Sequence, residues 1–155
     1  MRDDAIVLDS SVIASLYFTD PFSTWASNLV DSWKQLYTLD LAYAEVANVA
    51  WKRIYLFKQP EENILESLQR ALSFVDNVCI VINSRTIIPE AVYLSLETGT
   101  AVYDALYVYL AKKNNMPLAT LDFKLVNKLK DTEYGEILLH PFKAVSYTHL
   151  RAHET

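Results

Sequence analysis

At 155 residues, with 52% hydrophobic and 21% charged side chains, the chain is long enough for one domain with a real core and too apolar for disorder. Its formal net charge of −5 argues mildly against tight, nonspecific nucleic-acid binding. Two glycines leave little room for the tight turns of an all-β fold, no apolar run is long enough for a membrane span, and the single cysteine, Cys79, excludes an internal disulfide. Cys79 lies in an apolar run and reads as a buried thiol. The acidic start Met1-Arg2-Asp3-Asp4 leads directly into an apolar run without a signal-peptide pattern, so a cytoplasmic protein is expected. There is no internal repeat, low-complexity segment or interdomain linker.

In chain order the sequence alternates strand and helix signals. Ala5-Ile6-Val7-Leu8 is a short apolar run that ends in Asp9-Ser10-Ser11, which reads as a buried parallel strand with Asp9 at its carboxyl end. Ser11 to Phe18 reads as a short helix capped by Ser10 or Ser11, and Pro21 to Lys34 as a second. Leu36 to Leu39 is the expected second strand, Leu41 to Phe57 a long helix, and Pro60-Glu61-Glu62 a helix start. Val78 to Ile82, rich in β-branched residues, is the third strand. Pro89 to Glu97 and Ala101 to Lys113 are helices separated by Gly99, a natural stop. Leu118 to Leu121 is the fourth strand, Asp122 caps a helix from Phe123 to Lys130, and Glu136 to Leu139 is a marginal fifth strand. The pattern predicts an α/β fold, a three-layer α/β/α sandwich around a parallel sheet.

The last stretch, Val145-Ser-Tyr-Thr-His-Leu-Arg-Ala-His-Glu-Thr155, matches the translation of a common sequencing-library adapter. Residues 1–143 are therefore taken as the domain and 144–155 as a non-native read-through tail. This sets aside His149 and His153 and leaves only His140, which removes histidine-based metal or triad chemistry.

The chemistry lies in carboxylates placed where apolar residues belong. Asp9 is the only charged side chain between Asp4 and Asp20, Glu45 the only one from Leu41 to Trp51, and Asp104 the only one from Ala101 to Ala111. Asp122 ends the fourth strand. One such residue is readily a helix cap, but four, two at strand ends and two near helix starts, need a shared explanation. If they face one pocket, all four cannot stay ionised and unpaired, and a divalent cation resolves the conflict. All-oxygen ligands with water favour Mg²⁺ or Mn²⁺ over zinc. Such a site can activate water and stabilise charge on a phosphodiester under in-line attack.

The runs Val7-Leu8-Asp9-Ser10-Ser11-Val12, Ala44-Glu45-Val46-Ala47-Asn48, Tyr103-Asp104-Ala105-Leu106-Tyr107 and Leu118-Ala119-Thr120-Leu121-Asp122 are each weak motifs, but specific in this order and spacing. Across Ile6 to Pro141 the chain resembles the PIN-domain nucleases, and more closely the VapC-type toxins of prokaryotic toxin–antitoxin pairs. The resemblance implies a Rossmann-like sandwich and a Mg²⁺- or Mn²⁺-dependent ribonuclease. It implies that Asp9, Glu45, Asp104 and Asp122 form an acidic quartet, with Asp9 and Asp104 the foremost metal ligands. Ser11 and Thr120 would hydrogen-bond the carboxylates or metal waters, and Asn48 would lie beside Glu45. Such relatives usually dimerise and are neutralised by a small antitoxin, so both partners are expected.

Other features carry two readings. Tyr103, Tyr107 and Tyr109 could stack RNA bases or pack in a core or interface. Lys124 and Lys128, with Lys130 nearby, and Lys112 and Lys113 could hold phosphates or simply be solvated. Trp51, Ile54, Tyr55 and Phe57 extend an apolar helix beyond what one core face needs, which suggests a protein–protein surface. His140 reads as a loop residue. The helix Ala101 to Ala111 is apolar almost all round and is the expected contributor to a homodimer. A haloacid-dehalogenase-like phosphotransferase also uses an aspartate after strand one, but wants a second two residues on, where this chain has Ser11. A housekeeping nuclease or a noncatalytic PIN scaffold that binds RNA or protein are the remaining alternatives.

Overall fold

Five short strands form one parallel sheet in the order β3-β2-β1-β4-β5, in the computed structural model, which describes residues 4–143. They are β1 (Ala5–Leu8), β2 (Gln35–Leu39), β3 (Cys79–Ile82), β4 (Leu118–Ala119) and β5 (Leu138–Leu139). The acidic start Met1-Arg2-Asp3 and the expected tail, 144–155, lie outside the described residues. The seven α-helices among those residues are α1 (Ser10–Tyr17), α2 (Ser23–Ser32), α3 (Leu41–Trp51), α4 (Glu61–Asn77), α5 (Ile88–Thr98), α6 (Val102–Lys113) and α7 (Phe123–Leu129). The expected three-layer sandwich is therefore present.

The alternation of a strand's side chains divides the interior in two. Ala5 and Val7 of β1 face one layer, with Leu118, Leu138 and the inner faces of α5, α6 and α7. Ile6 and Leu8 face the other, with Leu36, Ala119 and helices α1 to α4. β1 is buried on both faces, so every one of its residues is apolar. The sheet thus carries a core on each of its faces. Two cores change the meaning of α6, where Ala105, Leu106, Tyr107, Val108, Leu110 and Ala111 are all buried. That helix is apolar nearly all round because the sheet and its neighbouring helices enclose it. It is not apolar because most of it faces a partner.

Smaller departures have local causes. The long helix expected to reach Phe57 stays α-helical only to Trp51, and a π-helical turn follows over Lys52–Leu56. Arg53 in that turn donates to the carbonyls of Phe18 and Thr19 at 3.4 and 3.1 Å, which covers open carbonyls at the end of α1. Cys79, expected to be buried, is only partly buried, because β3 is an edge strand in which no residue is fully covered. Gly99 ends α5 in the left-handed conformation at φ 74°, as its position after the helix requires. Among the described residues no helix is long and apolar enough to cross a membrane.

Candidate active site

The strand order reverses between β1 and β4, and open parallel sheets hold their ligands at the carboxyl ends flanking such a reversal. Asp9 leaves β1 there and caps α1 itself. Its Oδ1 accepts from the backbone N–H of Ser11 and Val12 at 3.0 and 3.3 Å and from Ser11 Oγ at 2.5 Å. The expected caps, Ser10 and Ser11, do other work, because a carboxylate one residue earlier reaches the open N–H groups of the first turn. Ser11 Oγ also accepts from Leu121 N–H at 2.8 Å, which ties the end of β1 to the loop after β4. Thr120, fully buried, hydrogen-bonds Asp9 and accepts from Asp122 N–H at 3.0 Å. Asp122 in turn caps α7 by accepting from Leu125 N–H at 3.1 Å.

Glu45 lies in the second turn of α3, and its Oε1 accepts from Tyr107 Oη at 2.9 Å. Ser10 is its second hydrogen-bond partner. Asn48, three residues on along α3, is exposed, and the hydrogen-bond partners of Glu45 are Tyr107 and Ser10. Tyr107, for which the sequence offers core packing or base stacking, is both buried and a donor to the site. A tyrosine among apolar residues gives no sequence signal of where its hydroxyl ends up. Asp104 sits in the first turn of α6.

The electrostatics join the four carboxylates. Asp9, only 7% exposed, is pushed up to about 7 by burial. Hydrogen bonds from Ser11, Thr120 and Val12 oppose that rise, and the Glu45 charge adds to it. Burial also raises Glu45, against hydrogen bonds from Tyr107 and Ser10 and with repulsion from Asp104. Asp104 is raised by burial and by the Asp122 charge, while Lys128 lowers it. Charge coupling thus runs from Asp9 to Glu45 to Asp104 to Asp122. Among the described residues no group of three or more Asp, Glu, His or Cys side chains is gathered into a ready-made metal cage. The quartet is an open string.

Lys128 is the cation that reaches this string, and its Nζ donates to the Gly99 carbonyl at 2.6 Å. Lys124 is exposed on the same helix. Lys112 and Lys113 lie at the other end of α6 from Asp104, with their Nζ atoms 6.0 Å from the Tyr134 ring centre and 5.9 Å from that of Tyr109. Tyr103 is exposed, and Tyr109 is half-buried. His140 is a loop residue after β5, as expected, and its Nδ1 accepts from Phe142 N–H at 3.3 Å.

The family model described as the PIN domain matches residues 6–129. The chain belongs to the PIN-domain family. It is 39% identical over 126 residues to Ribonuclease VapC3 of Pyrobaculum aerophilum, a match that covers 79% of this chain and 93% of that protein. The crystal structure of PAE2754 from Pyrobaculum aerophilum superposes with a TM-score of 0.65 at 23% identity, covering 96% of this chain and 90% of that one. A toxin-antitoxin complex from Klebsiella pneumoniae contains a chain that superposes with a TM-score of 0.62 at 18% identity, covering 86% and 95%. At these identities the two structures establish the fold.

The Asp9 environment predicts how stability depends on pH. Its folded value, about 7, lies above that of an unfolded aspartate, so folding favours the protonated carboxyl. The resulting stabilisation is complete below about pH 4 and is lost as pH rises through the folded value. Glu45 and Asp104 are raised too and act in the same sense. In EDTA, denaturation midpoints should therefore fall from pH 5 to pH 8. Asp9→Asn keeps an oxygen for the cap and should fall less, ending more stable than wild type at pH 8 by roughly 1 kcal/mol or more. Parallel curves for the two proteins would contradict the assignment.

Proposed function

We propose that the protein is a Mg²⁺- or Mn²⁺-dependent endoribonuclease, the cytoplasmic toxin of a VapBC-type pair. The observation that carries this reading is the string Asp9–Glu45–Asp104–Asp122 at the β1–β4 reversal, with burial and mutual repulsion holding three of its members above their ordinary values. The similarity to Ribonuclease VapC3 supplies the reaction. A haloacid-dehalogenase-like phosphotransferase has no such support, since Ser11 serves Asp9 as a hydrogen-bond donor.

The donor set fits a hard divalent cation. Mg²⁺ usually takes one or two carboxylates and keeps several waters, so an open string suits it better than a closed cage would. Asp9 and Asp104 are the foremost ligands, with Glu45 and Asp122 completing the acidic surface. The bound ion would supply an activated water and charge stabilisation at the phosphodiester. Ser11 and Thr120 hold the Asp9 carboxylate in place. Tyr107 holds one oxygen of Glu45. Lys128, with Lys124 on the exposed side of α7, can meet the RNA backbone.

RNA cleavage should require Mg²⁺ or Mn²⁺ and stop in EDTA. Asp104→Asn should lower the rate on the order of 100-fold or more while leaving the folded spectrum intact. Full activity in EDTA, or in both Asp9→Asn and Asp104→Asn, would refute the reading. Tyr107→Phe removes only the hydroxyl and should slow cleavage about tenfold, the scale of one lost hydrogen bond to a charged group. An unchanged rate in that variant would reduce Tyr107 to core packing.

The partners follow from the same reading: a small antitoxin and a second copy of this chain. Tyr93 and Leu96 of α5 and Tyr103 at the start of α6 are 75%, 76% and 66% exposed, and this patch suits the homodimer contact. Trp51, Tyr55 and Phe57, with Trp51 and Tyr55 stacked at 5.2 Å, form a second patch suited to the antitoxin. Sedimentation at micromolar concentration should give a dimer that Leu96→Lys converts to monomer. A wild-type monomer would remove the homodimer.

A further inference from the structure

Beside Asp122 stands a group of aromatic rings that the proposed chemistry leaves unused. Phe123 follows Asp122 directly and opens α7. Its ring centre lies 5.4 Å from that of Phe22, at an interplanar angle of 64°, and 5.3 Å from that of Phe142, at 50°. His140 joins them, 6.3 Å from Phe123 and 6.4 Å from Phe142. It follows β5, which runs parallel to β4, so it leaves the sheet at the same end as Asp9 and Asp122. Phe142 keeps 72% of its surface exposed although two phenyl rings and an imidazole hold it.

A cluster built only to close the core would bury its outermost ring, because an exposed phenyl forgoes most of its burial free energy. Here three half-buried rings support a fourth that faces outward. Next to it lies a cleft of about 280 Å³ whose lining includes Lys130, His140 and Phe142. That volume lies just below the usual range of small-molecule sites, and Lys130 and Lys143 stand at its border together with Glu136. Among the described residues the patch contains no exposed leucine, isoleucine or valine. In this it differs from the patches around Leu96 and Leu56, whose mixed aliphatic and aromatic character suits protein contacts.

We infer that Phe22, Phe123, His140 and Phe142 form a base-stacking platform for single-stranded RNA, with Phe142 as the ring that receives the base. The inference rests on the nuclease reading for its choice of RNA, because the platform adjoins the last carboxylate of the string. Every nucleobase offers a π-face, so such a platform holds a strand without reading its sequence. It would set the nucleotide neighbouring the scissile phosphate, with Lys130 near the adjoining phosphate.

The test uses the full chain in EDTA at low salt, so that binding is read without cleavage. The probe is a short single-stranded RNA carrying one 2-aminopurine. Wild type should bind it and quench its emission. Phe142→Ala should bind about tenfold more weakly and leave the emission unquenched, while Phe142→Trp restores both. Melting temperatures of the three should agree within a few degrees, since Phe142 is exposed. Equal binding and quenching by wild type and Phe142→Ala, or no binding by wild type, overturns the platform. Loss of self-association in Phe142→Ala with RNA binding unchanged assigns the rings to a protein contact and also overturns it. Cleavage is measured separately with Mn²⁺. A wild type that binds and quenches but does not cleave refutes the nuclease reading and leaves the platform standing.

Discussion

A carboxylate buried at the end of the central strand is the constraint on which the rest of this structure depends. Asp9 meets hydrogen-bond donors from Ser11, Val12 and Thr120, yet burial outweighs them and its acidity falls. Backbone and hydroxyl donors can satisfy a carboxylate's lone pairs without neutralising its charge. Neutralisation needs a proton or a cation, and the next charges along the string are Glu45, Asp104 and Asp122, all negative. Lys128 acts on Asp104, the third of the four. A helix cap alone would explain Asp9 and Asp122, because both cap helices. It does not explain Glu45, which caps nothing and is held by a phenol from the other side of the sheet.

The backbone offsets part of this cost. Asp9 caps α1, and Asp104 lies in the first turn of α6, where aligned peptide dipoles favour negative charge. Such an effect is worth at most about 2 kcal/mol in partly buried settings. It makes the acidic string tolerable without making it stable. Anything cationic that binds only the folded chain then raises its stability by mass action, and a metal ion and a basic protein segment would compete for that role.

Much of the site was legible because it breaks local rules. Asp9, Glu45 and Asp104 each stand alone in an apolar run, and that isolation marks a buried charge whatever the fold turns out to be. The strands were legible for a related reason, since β1 and β2 are short apolar runs ending in polar residues. What escaped was whatever depends on the third dimension. Tyr107 looks like any core aromatic until α3 and α6 meet across the end of the sheet. The sequence does not single out Asp9 as the cap over Ser10 and Ser11, because aspartate and serine both cap helices well. The apolar circumference of α6 pointed to a partner, since sequence alone does not reveal that both sheet faces carry a core.

That last point ties the site to the packing. Asp104 rides on α6, and the six buried side chains of that helix fix both its rotation and its height. Protein interiors are close-packed, so such a helix has few alternative seatings. Tyr107 is one of the six, and its hydroxyl crosses to Glu45 on α3, a helix that packs on the opposite face. One side chain thus links the two cores at the edge where the carboxylates meet. A change in the packing of α6 would move Asp104 and the Glu45 anchor together. Asp122 is fixed independently of α6, because it caps α7 through Leu125 N–H and its own N–H donates to Thr120 Oγ1.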